Sequence, residues 1–334
     1  MTSTRHLESK LTSVWRALRR DILTPNLSAT RLDVRGFNEK SPAARELLET
    51  VGRTFLAGYA YAAEARTVAD AEERLEAVDT QFRGFAYEGA AMGFAVRDGL
   101  PLGSNRHVER FLAGRGRDHV YMAYVGIGWA MARLPRFRWP RAGSTDPLLR
   151  WLVLDGYGFH QAYFRTERYV HQHFQDPRFP WPGAGQSWYA NRAIDQGIGR
   201  ALWFVAGTDP ELAANLIDKF PEARRPDLYS GAGLAATYAG GVSEDELRVL
   251  RDRAGQYRAH VAQGSAFAAE ARVCAGLVVP HTHVAAGVLC GSTPQEAALI
   301  CQQTRPAGPV EGDLPAYEVW RQRIANEFVS LGRC

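Results

Sequence analysis

Apolar residues recur at the 3.6-residue spacing of an α-helix along most of the chain. In residues 43–66 this spacing predicts a long amphipathic helix. Its predicted buried face carries Leu47, Val51, Phe55, Tyr59 and Ala62. Ser41 and Pro42 precede the helix, in the order typical of an N-cap followed by the first helical residue.

Similar start signals predict further helices later in the chain. Residues 209–220 begin with Asp209-Pro210, Ser243 stands three residues before Glu246 as in a capping box, and Thr293-Pro294 and Pro315 open the last two helices. The run 119–127 alternates like a strand but fits a buried helix equally well. We therefore expect an all-α fold.

A small-residue motif recurs along the chain and gives the organisation. Its first glycines are Gly89, Gly126, Gly156, Gly197, Gly231 and Gly264. The last three follow the first three at offsets of 108, 105 and 108 residues. This predicts a tandem duplication in an α-solenoid or αα-toroid, whose curvature gives a concave surface or central cavity. The alternative is that glycine-rich helices recur without duplication.

The predicted organisation is a single all-α domain over 1–334. Its repeat halves cover about 80–170 and 190–275, with N-terminal helices in 5–66 and C-terminal helices in 293–331 packing on them. The proline-rich and aromatic stretch within 165–190 is either a linker or a loop over the mouth of the cavity.

Composition excludes some classes of function. The 334 residues include 40 basic and 36 acidic side chains, for a formal charge of +4, and only three of the basic residues are lysines. No dense basic run is present, so nucleic acid is not an expected partner. The cysteines form no CxxC pair, which argues against a zinc ribbon. Without an apolar signal segment or span, we expect a soluble cytoplasmic protein.

Polar residues precede several of the recurring glycines. Glu88, Asp155 and Asp195 are the carboxylates among them, and they converge if the glycine-bearing helices line the concave side. They could then act as acid–base groups or hold a cation. For Asp155 the alternative is an N-cap role.

Histidines give a weaker signal. His160 ends one glycine segment, and His281 and His283 form an HxH pair after Pro280. Residues two apart point to different sides of a helix, so this pair predicts no chelate on a helix, and no third ligand stands at zincin spacing. No cofactor is predicted, and a divalent metal is possible, with His281 and His283 as weak candidate ligands. Walker-type, nucleophile-elbow and dinucleotide-binding motifs are absent.

Long segments around these glycines resemble a bacterial family of unknown function. The segments are RGFAYEGAAMGFAVRDGL, HVYMAYVGIGWAMARLP, DGYGFHQAYF, DQGIGRALWFVAG, RRPDLYSGAGLAATYAGG and PHTHVAAGVLCG. The resemblance extends from about residue 20 to 325. It implies an association with enediyne and other actinobacterial specialised-metabolite gene clusters. Because the family more often has glutamate at the position of His283, the resemblance implies no obligatory histidine pair.

The expected function is an enzyme of specialised metabolism that cyclises or isomerises a hydrophobic polyene in a helical cavity. Glu88, Asp155 or Asp195 is expected to be the acid, and His160 or His281 the proton acceptor. The expected substrate-binding residues are Trp129, Phe159, Tyr163, Arg200, Trp203, Arg225 and Tyr229. The alternatives are a non-catalytic binding or scaffold protein and a metal-dependent oxygenase or hydrolase. A homodimer or a pathway enzyme is a possible partner.

Overall fold

A computed structural model describes residues 14–100, 106–139, 146–181, 186–308 and 310–334. Over these residues the regular elements are helices and none is a strand, which confirms the all-α prediction. The part of the N-terminal prediction that covers residues 5–13 lies outside the described residues.

The helices follow one another in chain order, with the longest connections between α7 and α8 and between α8 and α9. They are α1 (14–23), α2 (Leu32–Arg35), α3 (Pro42–Glu64), α4 (Val68–Glu76), α5 (Thr80–Gly99), α6 (His107–Ala113), α7 (Val120–Arg133), α8 (Trp151–Phe164), α9 (Ala190–Val205), α10 (Pro210–Asp218), α11 (Arg225–Ala239), α12 (Glu244–Arg253), α13 (Arg258–Cys274), α14 (Pro280–Cys290), α15 (Pro294–Thr304) and α16 (Ala316–Ser330). A π-helical turn, Glu167–His171, follows α8.

The predicted helix starts are confirmed by their caps. The side chain of Ser41 accepts a hydrogen bond from the Ala44 backbone at the start of α3, and Asp209 caps α10 in the same way. Ser243 forms a complete capping box at α12. The ambiguous run 119–127 lies in α7, where nearly every side chain is buried.

Seven glycine-bearing helices and α15 form a row in which each packs on the next. From α3 the row continues through α5, α7, α8, α9, α11 and α13 to α15, and the shorter helices α4, α10, α12 and α14 connect some of its members. The row positions the candidate site, because its helices contribute most of the residues that line the interior of the protein.

Contacts between successive helices of the row repeat in one register. A β-carbon on Gly126, Gly156, Gly197, Gly231 or Gly264 would lie 1.8 to 2.1 Å from a carbonyl oxygen of the preceding helix of the row. In each case that carbonyl belongs to the residue just before the preceding helix's own glycine: Glu88, Val125, Asp155, Gln196 and Ser230. Only glycine permits this approach, so the recurring motif records backbone contacts between helices.

The row curves until its later helices reach its earlier ones. The Arg272 guanidinium on α13 donates to the Gln81 carbonyl at the start of α5 (3.1 Å) and to the Tyr238 carbonyl at the end of α11 (2.6 Å). The Tyr121 hydroxyl on α7 donates to the Glu270 carboxylate on α13 (3.2 Å). Helices α5 to α13 of the row therefore surround a common interior.

In the part of the chain that the structure describes, no single helix is long and apolar enough to cross a membrane. The bent pair α14–α15 meets the length and composition criterion together, with an angle of 62° between its helices.

Candidate functional site

A cavity of about 440 Å³ lies inside the curve of the row. This volume falls within the range of about 300–1,000 Å³ that is typical of small-molecule sites. The large apolar side chains that line it are Leu48, Val51, Phe55, Leu56, Phe85, Met92, Trp129, Phe159, Tyr163, Phe164, Phe204 and Leu234. They come from α3, α5, α7, α8, α9 and α11, so the lining depends on six helices of the row.

Aromatic rings form one continuous wall of this cavity. The Trp129 ring centroid lies 4.5 Å from that of Phe55 and 5.1 Å from that of Phe159. The Phe159 ring also meets Phe204 edge-on at 5.2 Å and stacks on Tyr163 at 5.9 Å. Such a wall suits an extended apolar or polyene ligand, and ring faces also stabilise positive charge.

The inner end of the cavity is polar. Glu88, Arg200 and Tyr238 line it, and Glu88 and Arg200 are almost completely buried. The carbonyl of Glu88 contacts Gly126, so the backbone contact between α5 and α7 fixes the place from which the carboxyl side chain extends.

Arg200 is held by a second carboxylate outside the cavity. Its guanidinium donates a hydrogen bond to Asp155 on α8. Gln196 Nε2 donates to the other Asp155 oxygen at 2.8 Å, and Gln196 also bonds the Tyr317 hydroxyl of α16. Asp155 is thus fully engaged by its neighbours and fixes the position of Arg200.

The carboxyl of Glu88 is left without such a partner. Arg200 Nη2 lies 3.8 Å from Glu88 Oε1, beyond hydrogen-bond distance. Burial raises the pKa of Glu88 to about 7, Arg200 opposes the rise, and the charge of Asp155 adds to it. Glu88 therefore titrates near neutral pH, as a general acid must if it is also to recover its proton.

Other polar atoms at the cavity have no hydrogen-bond partner among the described residues. They are Trp129 Nε1, His160 Nδ1 and the Tyr238 hydroxyl. The Trp129 indole lies close to the Glu88 carboxyl without reaching good hydrogen-bond geometry. Burial raises the pKa of Tyr238 to about 12, so its hydroxyl stays protonated. Each atom is buried without a hydrogen bond to any described residue, and the Tyr238 hydroxyl lies against Gly84 of α5.

The opposite end of the cavity opens to solvent. Arg133 and Arg165 line it and are exposed, and His160 lies beside them, half-buried. Burial lowers the pKa of His160 to about 3, and the positive charges of Arg133 and Arg165 also lower it. His160 is therefore a neutral imidazole at pH 7.

Six of the residues predicted from the sequence meet at the cavity: Glu88, Trp129, Phe159, His160, Tyr163 and Arg200. Asp155 lies behind Arg200. Asp195 faces a different, polar pocket of about 190 Å³, where it forms an ion pair with Arg224. Burial raises the pKa of Asp195 to about 6, against the effect of Arg224.

The remaining predicted residues lie away from the cavity. Trp203 donates to the Gly240 carbonyl, Arg225 donates to the Phe220 and Asp218 carbonyls, and the Tyr229 hydroxyl donates to the Asp218 carboxylate. These contacts join helix ends.

The two histidines of the HxH pair diverge at the start of α14. His281 Nε2 contacts the Tyr238 carbonyl at 3.1 Å, whereas His283 is exposed. Burial lowers the pKa of His281 to about 4. Among the described residues no group of three or more His, Cys, Asp or Glu side chains is placed to hold a metal ion.

The sequence reasoning missed several cavity residues, among them Tyr238, Arg133 and Arg165. Arg133 stands four residues after Trp129 on α7, a spacing that puts both on one helix face and could have indicated it. No comparable signal marks Tyr238, whose place depends on the curvature of the row.

Comparison with known proteins places this chain in a family without an assigned activity. A family model described as "Protein of unknown function (DUF1702)" matches residues 14–328, a span that contains every residue lining the cavity. No curated protein and no solved structure matches the chain.

Proposed function

The chain belongs to the DUF1702 family, and we propose that it binds a hydrophobic polyene in the cavity and isomerises or cyclises it by acid–base chemistry. The observation that carries the proposal is the position of Glu88. It is a buried carboxyl with a pKa of about 7 at the polar end of an aromatic cavity.

In the proposed reaction, protonated Glu88 transfers its proton to one carbon of a double bond. The bond's electron pair forms the new C–H bond, and a positive charge is left on the other carbon. Arg200 stabilises the carboxylate that remains, while Trp129 and Phe159 stabilise the cation. The cation loses a proton from a neighbouring carbon to Glu88 or His160.

This loss gives a double bond at a new position. If a second double bond of the substrate attacks the cation first, a ring forms before the proton is lost. The overall reaction consumes no oxidant or reductant. Of the two acceptors Glu88 is the stronger base, because its pKa lies well above that of His160.

We further propose that this reaction belongs to specialised metabolism of the enediyne or polyketide type, in the cytoplasm. The support is the resemblance of the glycine segments described above. The repeated register of the glycine contacts also supports an origin of the row by duplication of a helical unit, with a toroid-like closure.

A second candidate function is non-catalytic binding of a pathway intermediate. The observation that favours it is that Asp155 accepts hydrogen bonds from Arg200 and Gln196. Among the described residues, Glu88 is therefore left as the carboxyl without a hydrogen bond at the inner end of the cavity. A single carboxyl among apolar walls can serve to orient a ligand without reacting with it.

The test is complementation of a producing strain from which the gene is deleted. Wild type, Glu88→Gln, Glu88→Ala and the control Glu327→Gln on the surface of α16 are introduced, and mass spectrometry follows the intermediates. We expect wild type and the control to restore the product and both Glu88 variants to accumulate its precursor. Full restoration by Glu88→Gln would remove the acid role and leave the binding function.

A further inference from the structure

A second, polar pocket lies beside the mouth of the cavity. Its volume is about 190 Å³, and four arginines line it: Arg136, Arg165, Arg168 and Arg224. We call it the arginine pocket. The π-helical turn after α8 carries Arg168, and Arg165 stands at the end of α8 itself. Such π-helical turns are frequent at functional sites.

Positive charge exceeds negative charge in the arginine pocket. Buried Arg224 is neutralised by Asp195, with two hydrogen bonds of 2.6 and 2.9 Å. Within the described residues, no carboxylate lies at salt-bridge distance from Arg136, Arg165 or Arg168. Asp176, the other carboxylate of the lining, accepts a hydrogen bond from the Arg178 backbone. The lining thus carries four arginines against two carboxylates, an excess of two positive charges that a bound anion can offset.

Arg165 lines both the cavity and the arginine pocket, so the two spaces meet at this side chain. It lies ten residues after Asp155, at the C-cap of the same helix, and Asp155 contacts Arg200 of the inner end. Ten residues of α-helix span about 15 Å. A ligand with its head at Arg165 therefore needs an apolar chain of roughly this length to reach the inner end of the cavity, which Glu88 and Arg200 line.

Resting on the proposed function, we propose that the substrate is amphipathic, with its apolar chain in the cavity and an anionic head, carboxylate or phosphate, in the arginine pocket. Arg165 and Arg168 bind the anionic head, and Arg136 adds to the positive electrostatic potential around it. This arrangement fixes which carbon of the chain meets Glu88, because the head is held at the C-terminal end of α8 while Glu88 is held on α5.

The experiment compares dodecanol, dodecanoate and dodecyl phosphate, which share one chain and differ in the head. Their binding to the full chain is measured by isothermal titration calorimetry below their micelle concentrations. We expect at least one anion to bind about tenfold tighter than the alcohol, as for a charge-assisted contact, with an affinity that falls as salt increases. The tighter anion identifies the head as carboxylate or phosphate.

The matched variants are Arg165→Ala and Arg178→Ala. Arg178 is an exposed arginine of the neighbouring loop that lines neither space. We expect Arg165→Ala to weaken the anion about tenfold and to leave dodecanol unchanged, and Arg178→Ala to change neither. Thermal unfolding verifies that each variant is folded.

The outcomes separate this inference from the proposed function. Two results would contradict the proposed anionic head group: dodecanol binds wild type as tightly as the anions, or Arg165→Ala weakens all three ligands equally. Either result would leave the proposed apolar binding site intact. If none of the three ligands binds, the proposed apolar site fails and the inference fails with it.

Discussion

The Arg200 guanidinium lies 3.8 Å from the Glu88 carboxyl without a hydrogen bond between them, while Nη1 of the same guanidinium donates to Asp155. Arg200 therefore supplies positive charge near Glu88 but does not hold it ionised. The pKa of about 7 is the balance between this charge and the effect of burial. Substitutions of either residue should change the pH dependence of stability.

The variant Glu88→Gln should be more stable than wild type at alkaline pH. In the unfolded chain the carboxyl titrates near its ordinary value of 4.5, whereas in the folded protein it titrates near 7. Between these values the folded state holds a proton that the unfolded state has lost, so wild-type stability falls as pH rises from about 4.5 to 7. The loss is on the order of 3 kcal/mol and is complete above pH 7.

Urea unfolding at pH 5 and pH 8 measures this difference. Glu88→Gln lacks the titrating group, so it should lose less stability than wild type between the two pH values. The exposed Glu327→Gln serves as the control and should behave as wild type. Equal pH dependence of Glu88→Gln and wild type would show that Glu88 is ionised throughout.

Removal of Arg200 should destabilise the fold strongly. Arg200→Gln leaves Asp155 and Glu88 buried together without their cation, and breaking a buried pair in this way costs about 3–5 kcal/mol. The loss should be smaller at pH 5, where Glu88 is protonated and no longer repels Asp155. Urea unfolding measures both effects.

The comparison for Arg200→Gln is Arg248→Ala on α12. Arg248 forms ion pairs with Glu244 and Asp245 on the protein surface, where such pairs contribute about 0–1 kcal/mol. A loss in Arg200→Gln no larger than that in Arg248→Ala would contradict the central role of the Arg200 pair.

The glycine contacts of the row should not tolerate a methyl group. In Gly126→Ala the new β-carbon would lie 2.1 Å from the Glu88 carbonyl oxygen, so α5 and α7 must separate, at a cost of about 3 kcal/mol or more. Gly287→Ala on α14 is the matched control, since no atom lies within 4 Å of its new methyl group. There alanine should stabilise the helix by up to about 1 kcal/mol.

Thermal unfolding of the two alanine variants gives the measurement. Because Glu88 lies at the contact, Gly126→Ala should also reduce binding of dodecanol in the cavity. Similar unfolding temperatures for both variants would mean that the close contacts at the glycines do not hold the row together.

Much of the fold could be predicted from the sequence because its signals are local. Helix starts follow from Ser41, Asp209, Ser243 and Thr293, which satisfy backbone donors within the next few residues. The recurring glycines also gave the right helices for the interior, since only glycine permits their contacts.

The candidate site could be predicted only in part because it depends on contacts between distant segments. The position just before each glycine holds Glu88 and Asp155 alike, yet Glu88 lines the cavity and Asp155 is engaged by Arg200 from α9. Tyr238 meets Phe85 at 5.1 Å across the curve, and no local pattern indicates this contact. The curvature of the row decides which polar residues face a ligand.

Filling the cavity should abolish binding while the fold is kept. Ala235 lines the cavity on α11 and is buried, so Ala235→Phe places a ring in the space that a ligand would occupy. Because the ring enters an existing cavity and buries apolar surface, stability should stay within about 1.5 kcal/mol of wild type. Dodecanol should then bind at least tenfold more weakly by calorimetry. The polar contacts of Arg200 and Asp155 are not altered, so loss of binding reports the apolar space alone. Unchanged dodecanol affinity in a folded Ala235→Phe variant would place the ligand elsewhere on the molecule.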